Sequence, residues 1–84
     1  MEKRVGVALI LVENRDSVQL LNDIISKHSH TIIGRQGLPR SNGQNIISLV
    51  LEGTTDQISS LTGQLGRIKG VQVKSVLLKD TKNE

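Results

Sequence analysis

Cysteine and all three aromatic residues are missing from this 84-residue chain, and proline occurs only once. Without cysteine there can be no disulfide, no thiolate metal ligand, no iron–sulfur ligation and no cysteine nucleophile, and the chain reads as cytoplasmic. Without aromatics the core has to be built from Val, Ile, Leu and Ala. The same absence excludes an RNA-recognition surface, which holds bases by stacking them on rings of its central strands. A chain of this length hides only roughly 60 to 65% of the surface that its unfolded form exposes. A thin two-layer core, supplemented by burial in a homo-oligomer such as a dimer or tetramer, is the expectation.

Strong charge of one sign is also lacking. The net charge is +3, and several of the cations, Lys3, Arg4, Lys79 and Lys82, lie at the two ends. Phosphate backbones call for a concentrated basic face, so this distribution reads first as solvation. Long hydrophobic runs are absent too. Val5 to Val12 is too short to span a bilayer and leads straight into Glu13-Asn14-Arg15-Asp16 without a small-residue cleavage site, which makes it a buried strand and not a membrane or export segment.

What is present is a twice-repeated pattern. Val5 to Val12 is apolar at odd and even positions alike, as in a central strand covered on both faces. Asp16 with Gln19 forms a capping-box pattern ahead of a helix over 16–28. Val18, Leu21, Ile25 and His28 recur there at helical spacing, widened by Leu20 and Ile24. The β-branched Thr31, Ile32 and Ile33 open a second strand, 30–38. Ser41-Asn42-Gly43-Gln44 is a hairpin turn, with Asn-Gly supplying positive φ, and 45–52 is the returning strand. Thr54 and Gln57 cap a second helix, 55–66, with Ile58, Leu61, Leu65 and Ile68 facing a sheet and Gly66 or Gly70 ending it. The last strand, 71–78, alternates and then becomes continuously apolar, as if its far end were covered on both faces; Asp80 to Glu84 reads as a frayed polar tail.

Strand, helix, strand, strand, helix, strand is the ferredoxin-like plan, an α+β sandwich with both helices on one face of a four-stranded antiparallel sheet. The first and third strands lie in the middle and the second at an edge. The other sheet face then shows apolar side chains, which argues for a partner protein.

No catalytic constellation stands out. There is no Ser, His and acid arrangement and no Walker or Rossmann glycine pattern. Arg15 and Asn45 are nominal phosphate-handling residues, but the loop that holds Arg15 has no glycine cradle and carries two acids. His28 and His30 are too few ligands for a metal; helix-end placement of His28 and surface placement of His30 account for them. Gly63-Gln64-Leu65-Gly66 matches a bare GxxG, but at the end of a helix, where close packing or a terminating cap explains it better. The protein therefore reads as a binding domain and not an enzyme, with no cofactor. The candidate effector or interface residues are Glu13, Asn14 and Arg15, which feed a helix N-terminus, and Gly34, Arg35 and Gly37 on the edge strand, where Arg35 can pair a carboxylate. The alternative is a nucleic-acid surface made from Arg35, Arg40, Arg67 and Lys69 across an oligomer.

Thr31 to Pro39, Ile47 to Val50 and Leu61 to Ser75, together with Arg4-Val5-Gly6-Val7 and Val12 to Arg15, carry a likeness that covers nearly the whole chain. In these residues the sequence resembles the iron-only hydrogenase system regulators, small bacterial proteins with an ACT-like ferredoxin fold that are named as transcriptional regulators. The resemblance implies no catalytic residues. It implies side-by-side pairing of sheet edges and a small ligand, such as an amino acid, at the subunit interface, as in many ACT relatives. The first-turn glycine usual in ligand-binding ACT domains is replaced here by Glu13-Asn14-Arg15. The plan is also that of the metal-binding domain of nickel-responsive regulators, whose histidine pair and cysteine at the middle hairpin have no counterpart in Gly37-Leu38-Pro39-Arg40.

Overall fold

The computed structural model describes residues 3–79; the tail read as frayed lies outside them. The chain runs β1 (Arg4–Val12), α1 (Val18–Lys27), β2 (Ile32–Pro39), β3 (Asn45–Gly53), α2 (Thr55–Gly66) and β4 (Val71–Leu77), with short 3-10 turns at Arg15–Ser17 and Ser29–Thr31. The strands form one antiparallel sheet in the order β2-β3-β1-β4, with β1 and β3 inside as expected. This is the ferredoxin-like, ACT-like α+β architecture.

One face of the sheet meets both helices. Ala8, Ile10 and Val12 of β1 and Ile47, Leu49 and Leu51 of β3 pack against Leu21, Ile24 and Ile25 of α1 and Ile58, Leu61 and Leu65 of α2. Complete burial of an aliphatic side chain contributes about 1.5 to 3 kcal/mol, so leucine and isoleucine do the work that rings do elsewhere. α2 begins as predicted: Thr54 Oγ1 accepts from Gln57 N at 3.1 Å and Gln57 Oε1 accepts from Thr54 N at 2.9 Å. In the hairpin, Gly43 alone takes positive φ (+90°), while Asn42 Oδ1 accepts from Gln44 N at 3.0 Å.

Several expectations are corrected. Asp16 caps nothing. Asn14 Oδ1 accepts from Asp16 N at 2.9 Å and opens the 3-10 turn, α1 starts at Val18, and Gln19 reaches down its helix to Asp23 at 3.0 Å. Leu20 points away from the core, 52% exposed, because it falls outside the arc of α1 that Leu21, Ile24 and Ile25 turn towards the sheet. β2 starts at Ile32, since the 3-10 turn consumes Ser29–Thr31. Gly63 and Gly66 lie inside α2, and a Cβ added at either would meet no atom within 4 Å, so close packing does not explain them. The positive φ (+79°) that turns the chain into β4 belongs to Gly70. Finally, β1 and the far end of β4 are covered on one face only: Val5, Val7, Leu9, Val76 and Leu78 are exposed.

Candidate functional site

The alternation of β2 decides which of its residues can act together. Arg35 pairs with Leu49 and Gly37 with Ile47, both inward-facing residues of β3, so Arg35 and Gly37 lie on the helix side of the sheet. Gly34 pairs with Val50 and lies on the opposite face, where a Cβ would meet the Val50 side chain at 3.6 Å. A bulge between Ile32 and Gly34 sets this register and leaves Ile33 exposed. The three edge residues singled out in the sequence are therefore split between two faces.

On the helix side, β2 extends beyond the cover of α1 and the two elements enclose a groove of about 200 Å³. Val12, Leu21 and Ile47 are the buried, apolar part of its lining, and Asn22, Arg35 and Pro39 stand around it. Arg35 Nη2 donates to Asn22 Oδ1 at 2.9 Å, which ties the edge strand to α1 where both residues line the groove. That bond engages one of five guanidinium donors. A cationic fork beside a short aliphatic trough is chemically suited to a small carboxylate with an apolar body.

Glu13, Asn14 and Arg15 are held elsewhere. Glu13 N donates to Gly70 O at 2.8 Å, Gln72 Nε2 donates to Glu13 Oε2 at 2.8 Å, and Ser17 Oγ donates to Lys69 O at 2.7 Å. These bonds lock the β1–α1 loop to the turn before β4. β1 and β3 separate the loop from β2, and Arg35 lies four residues back from the end of that strand. Within one chain, the loop and Arg35 do not meet.

Arg40, Arg67 and Lys69 share one end of the sheet, where β1 and β2 finish and β3 and β4 begin. Arg40 Nη1 donates to Gln44 Oε1 at 2.8 Å. Arg15 stands at this end as well, but so do Glu13 and Asp16, and Arg35 lies away from it at mid-strand. His28 caps α1 from its own side chain, with Nδ1 2.8 Å from Ile24 O and Nε2 3.5 Å from Ser60 Oγ. Among the described residues no three His, Cys, Asp or Glu side chains gather as a metal site, and no helix is long and apolar enough to cross a membrane.

Sequence reasoning did not single out Asn22, Ser17 or Gln72. Asn22 had left a trace: it is a polar residue set within the stripe of Val18, Leu21 and Ile25, one helical turn after Val18. Ser17 and Gln72 bond to partners remote in sequence and left none.

The comparisons with known proteins agree with this architecture. The uncharacterized protein TM1266 from Thermotoga maritima is 38% identical, covers 93% of this chain and 100% of its own, and superposes with a TM-score of 0.87. The ACT domain from GTP pyrophosphokinase of Chlorobium tepidum shares the fold at 18% identity and a TM-score of 0.69, over 89% of this chain and 97% of its own. The C-terminal domain of the MgtC protein from Mycobacterium tuberculosis does so at 13% identity and a TM-score of 0.70, over 96% and 94%. No protein of curated function matches the chain. The TM1266-like family model, described as "Iron-only hydrogenase system regulator, putative", matches residues 4–75. With most of its length inside that match, the chain belongs to the TM1266-like family of iron-only hydrogenase system regulators.

Proposed function

We propose that the protein is a non-catalytic regulatory domain that works as a homo-oligomer and responds to a small carboxylate-bearing effector held in the groove between α1 and β2. The observation that supports this reading is the Arg35–Asn22 pair, which sets a guanidinium beside an apolar trough. Arg35 supplies the charge, Asn22 orients it, and the aliphatic lining selects for a short apolar body. Assembly brings a second chain's loops within reach of the exposed edge strand. A role in transcription exerted through a partner fits the described residues, among which there is no helix-turn-helix.

Native mass spectrometry of the protein purified from its own cell extract tests the reading. A copy number above one, with a small-molecule mass that Arg35→Ala no longer retains, is the expected result. Monomers without adduct at micromolar concentration overturn it. Tight binding to DNA or RNA that falls steeply with salt would instead favour the basic residues Arg40, Arg67 and Lys69, with Arg35, as the working surface.

A further inference from the structure

The sheet face away from the helices carries an ordered pattern. Antiparallel register places side chains directly opposite each other in rows across the strands. The central row is Gly34, Val50, Val7 and Val76. On one side of it stand Glu52 and Val5, with Leu78 alongside through its N–H bond to Val5 O at 2.9 Å. On the other side stand Gln36, Ser48, Leu9 and Lys74. Val7, Leu9, Val76 and Leu78 are 41%, 55%, 63% and 61% exposed. Around Val5, Val7, Val50, Val76 and Leu78 the surface dips into an open depression of about 220 Å³.

The field continues past the third row into Leu38, Ile46 and Leu11, and the two charges in it stand diagonally across the central row. Glu52 is on β3 beside Val5, and Lys74 is on β4 beside Leu9, so they flank Val7 at equal steps along and across the sheet. From ordinary strand spacings their Cα atoms are roughly 17 Å apart, too far to pair within one chain. A two-fold axis parallel to the sheet plane above Val7, perpendicular to the line joining the two residues, exchanges them. It lays each glutamate over the lysine of another copy.

We propose that two copies of this chain pack open face to open face about that axis, with Glu52 of each copy paired to Lys74 of the other. The strands then cross at roughly 70°, within the orthogonal class of sheet packing. Valines and Leu9 meet at the centre. Leu78 of the second copy falls beside Val76 and Leu78 of the first, along the outer side of β4. The two ion pairs fix the crossing, since a parallel or reversed alignment sets each charge against Ser48 or Leu78. The proposal rests on the reading of the protein as an oligomer and names the surface that the oligomer uses.

Sedimentation equilibrium on the full chain tests it with Glu52→Lys, Lys74→Glu, the double reversal and Val7→Arg. Each single reversal is expected to weaken dimerisation about tenfold, because two symmetry-related pairs become repulsive. The double reversal is expected to return to within about threefold of the starting protein, and Val7→Arg to weaken association by about a hundredfold or more. Glu52, Lys74 and Val7 all face solvent in the single chain, so circular dichroism should show the same folded monomer throughout. Unchanged association in the single reversals, or a double reversal as weak as the singles, overturns the face-to-face pairing. If the starting protein oligomerises and Val7→Arg leaves it intact, the oligomer uses another surface and only this inference falls. A starting protein that is monomeric at micromolar concentration removes the oligomer reading itself.

Discussion

Val7 and Ala8 are neighbours on β1, and the two faces they belong to have different surroundings. Ala8 is fully buried under the helices, whereas Val7 is 41% exposed on a face that none of the described residues covers. Both faces are apolar, but they are finished differently. The helix face is a closed aliphatic core with complete burial at Ile10, Leu21, Leu49, Leu51, Leu61 and Leu65. The open face is valine-rich at its centre and carries one charge on either side of it. Hydrophobicity alone therefore does not tell the two faces apart; the packing of both helices on one of them does.

The contrast can be broken by truncating one residue on each side. Leu61→Ala, in the closed core, should cost about 2 to 5 kcal/mol of unfolding free energy in urea titration. Val76→Ala, measured at a protein concentration where the chain is monomeric, should stay within about 0.5 kcal/mol. Equal losses would mean that the open face is not solvent-exposed in the monomer. Gly70→Ala probes the tie between the β1–α1 loop and the turn before β4: it forces a side chain into a positive φ and sets its Cβ 2.9 Å from Asn14 Cβ. A loss of about 1 to 2 kcal/mol is expected, and none at all would show that the loop is not pinned there.

A smaller effect should follow from Thr54→Ala, which removes the hydroxyl of the capping box that starts α2 and should cost about 1 kcal/mol by the same titration. Opposite in sign is Gly63→Ala. It lies on the solvent side of α2 with open space where a Cβ would go, so the folded protein should gain about 0.5 to 1 kcal/mol. If the substitution destabilises instead, that helix surface is in contact with something, and the open sheet face is not the sole unpartnered side of the sandwich.

The covered half of the fold was readable because its signals are local. Ile58, Leu61, Leu65 and Ile68 repeat at the spacing of a helix, Thr54 and Gln57 sit where a capping box needs them, and Gly43 supplies the turn. The start of α1 was less readable, because Asn14 opens a 3-10 turn ahead of it and no side chain caps α1 itself. Arg35 was legible as a candidate and Asn22 was not, because their contact joins a helix to an edge strand.

The sequence by itself determined the order of elements, the strands that lie inside, the absence of ring and thiolate chemistry and the family resemblance. These follow from residue type and short-range periodicity, which act within a few residues along the chain. Only the tertiary structure decided that Arg35 and not Gly34 turns to the helix side, that the Glu13–Arg15 loop belongs to the β4 side, and that Glu52 and Lys74 stand diagonally across Val7. Each of those depends on register between strands distant in sequence. A shift of one residue would turn every side chain to the other face.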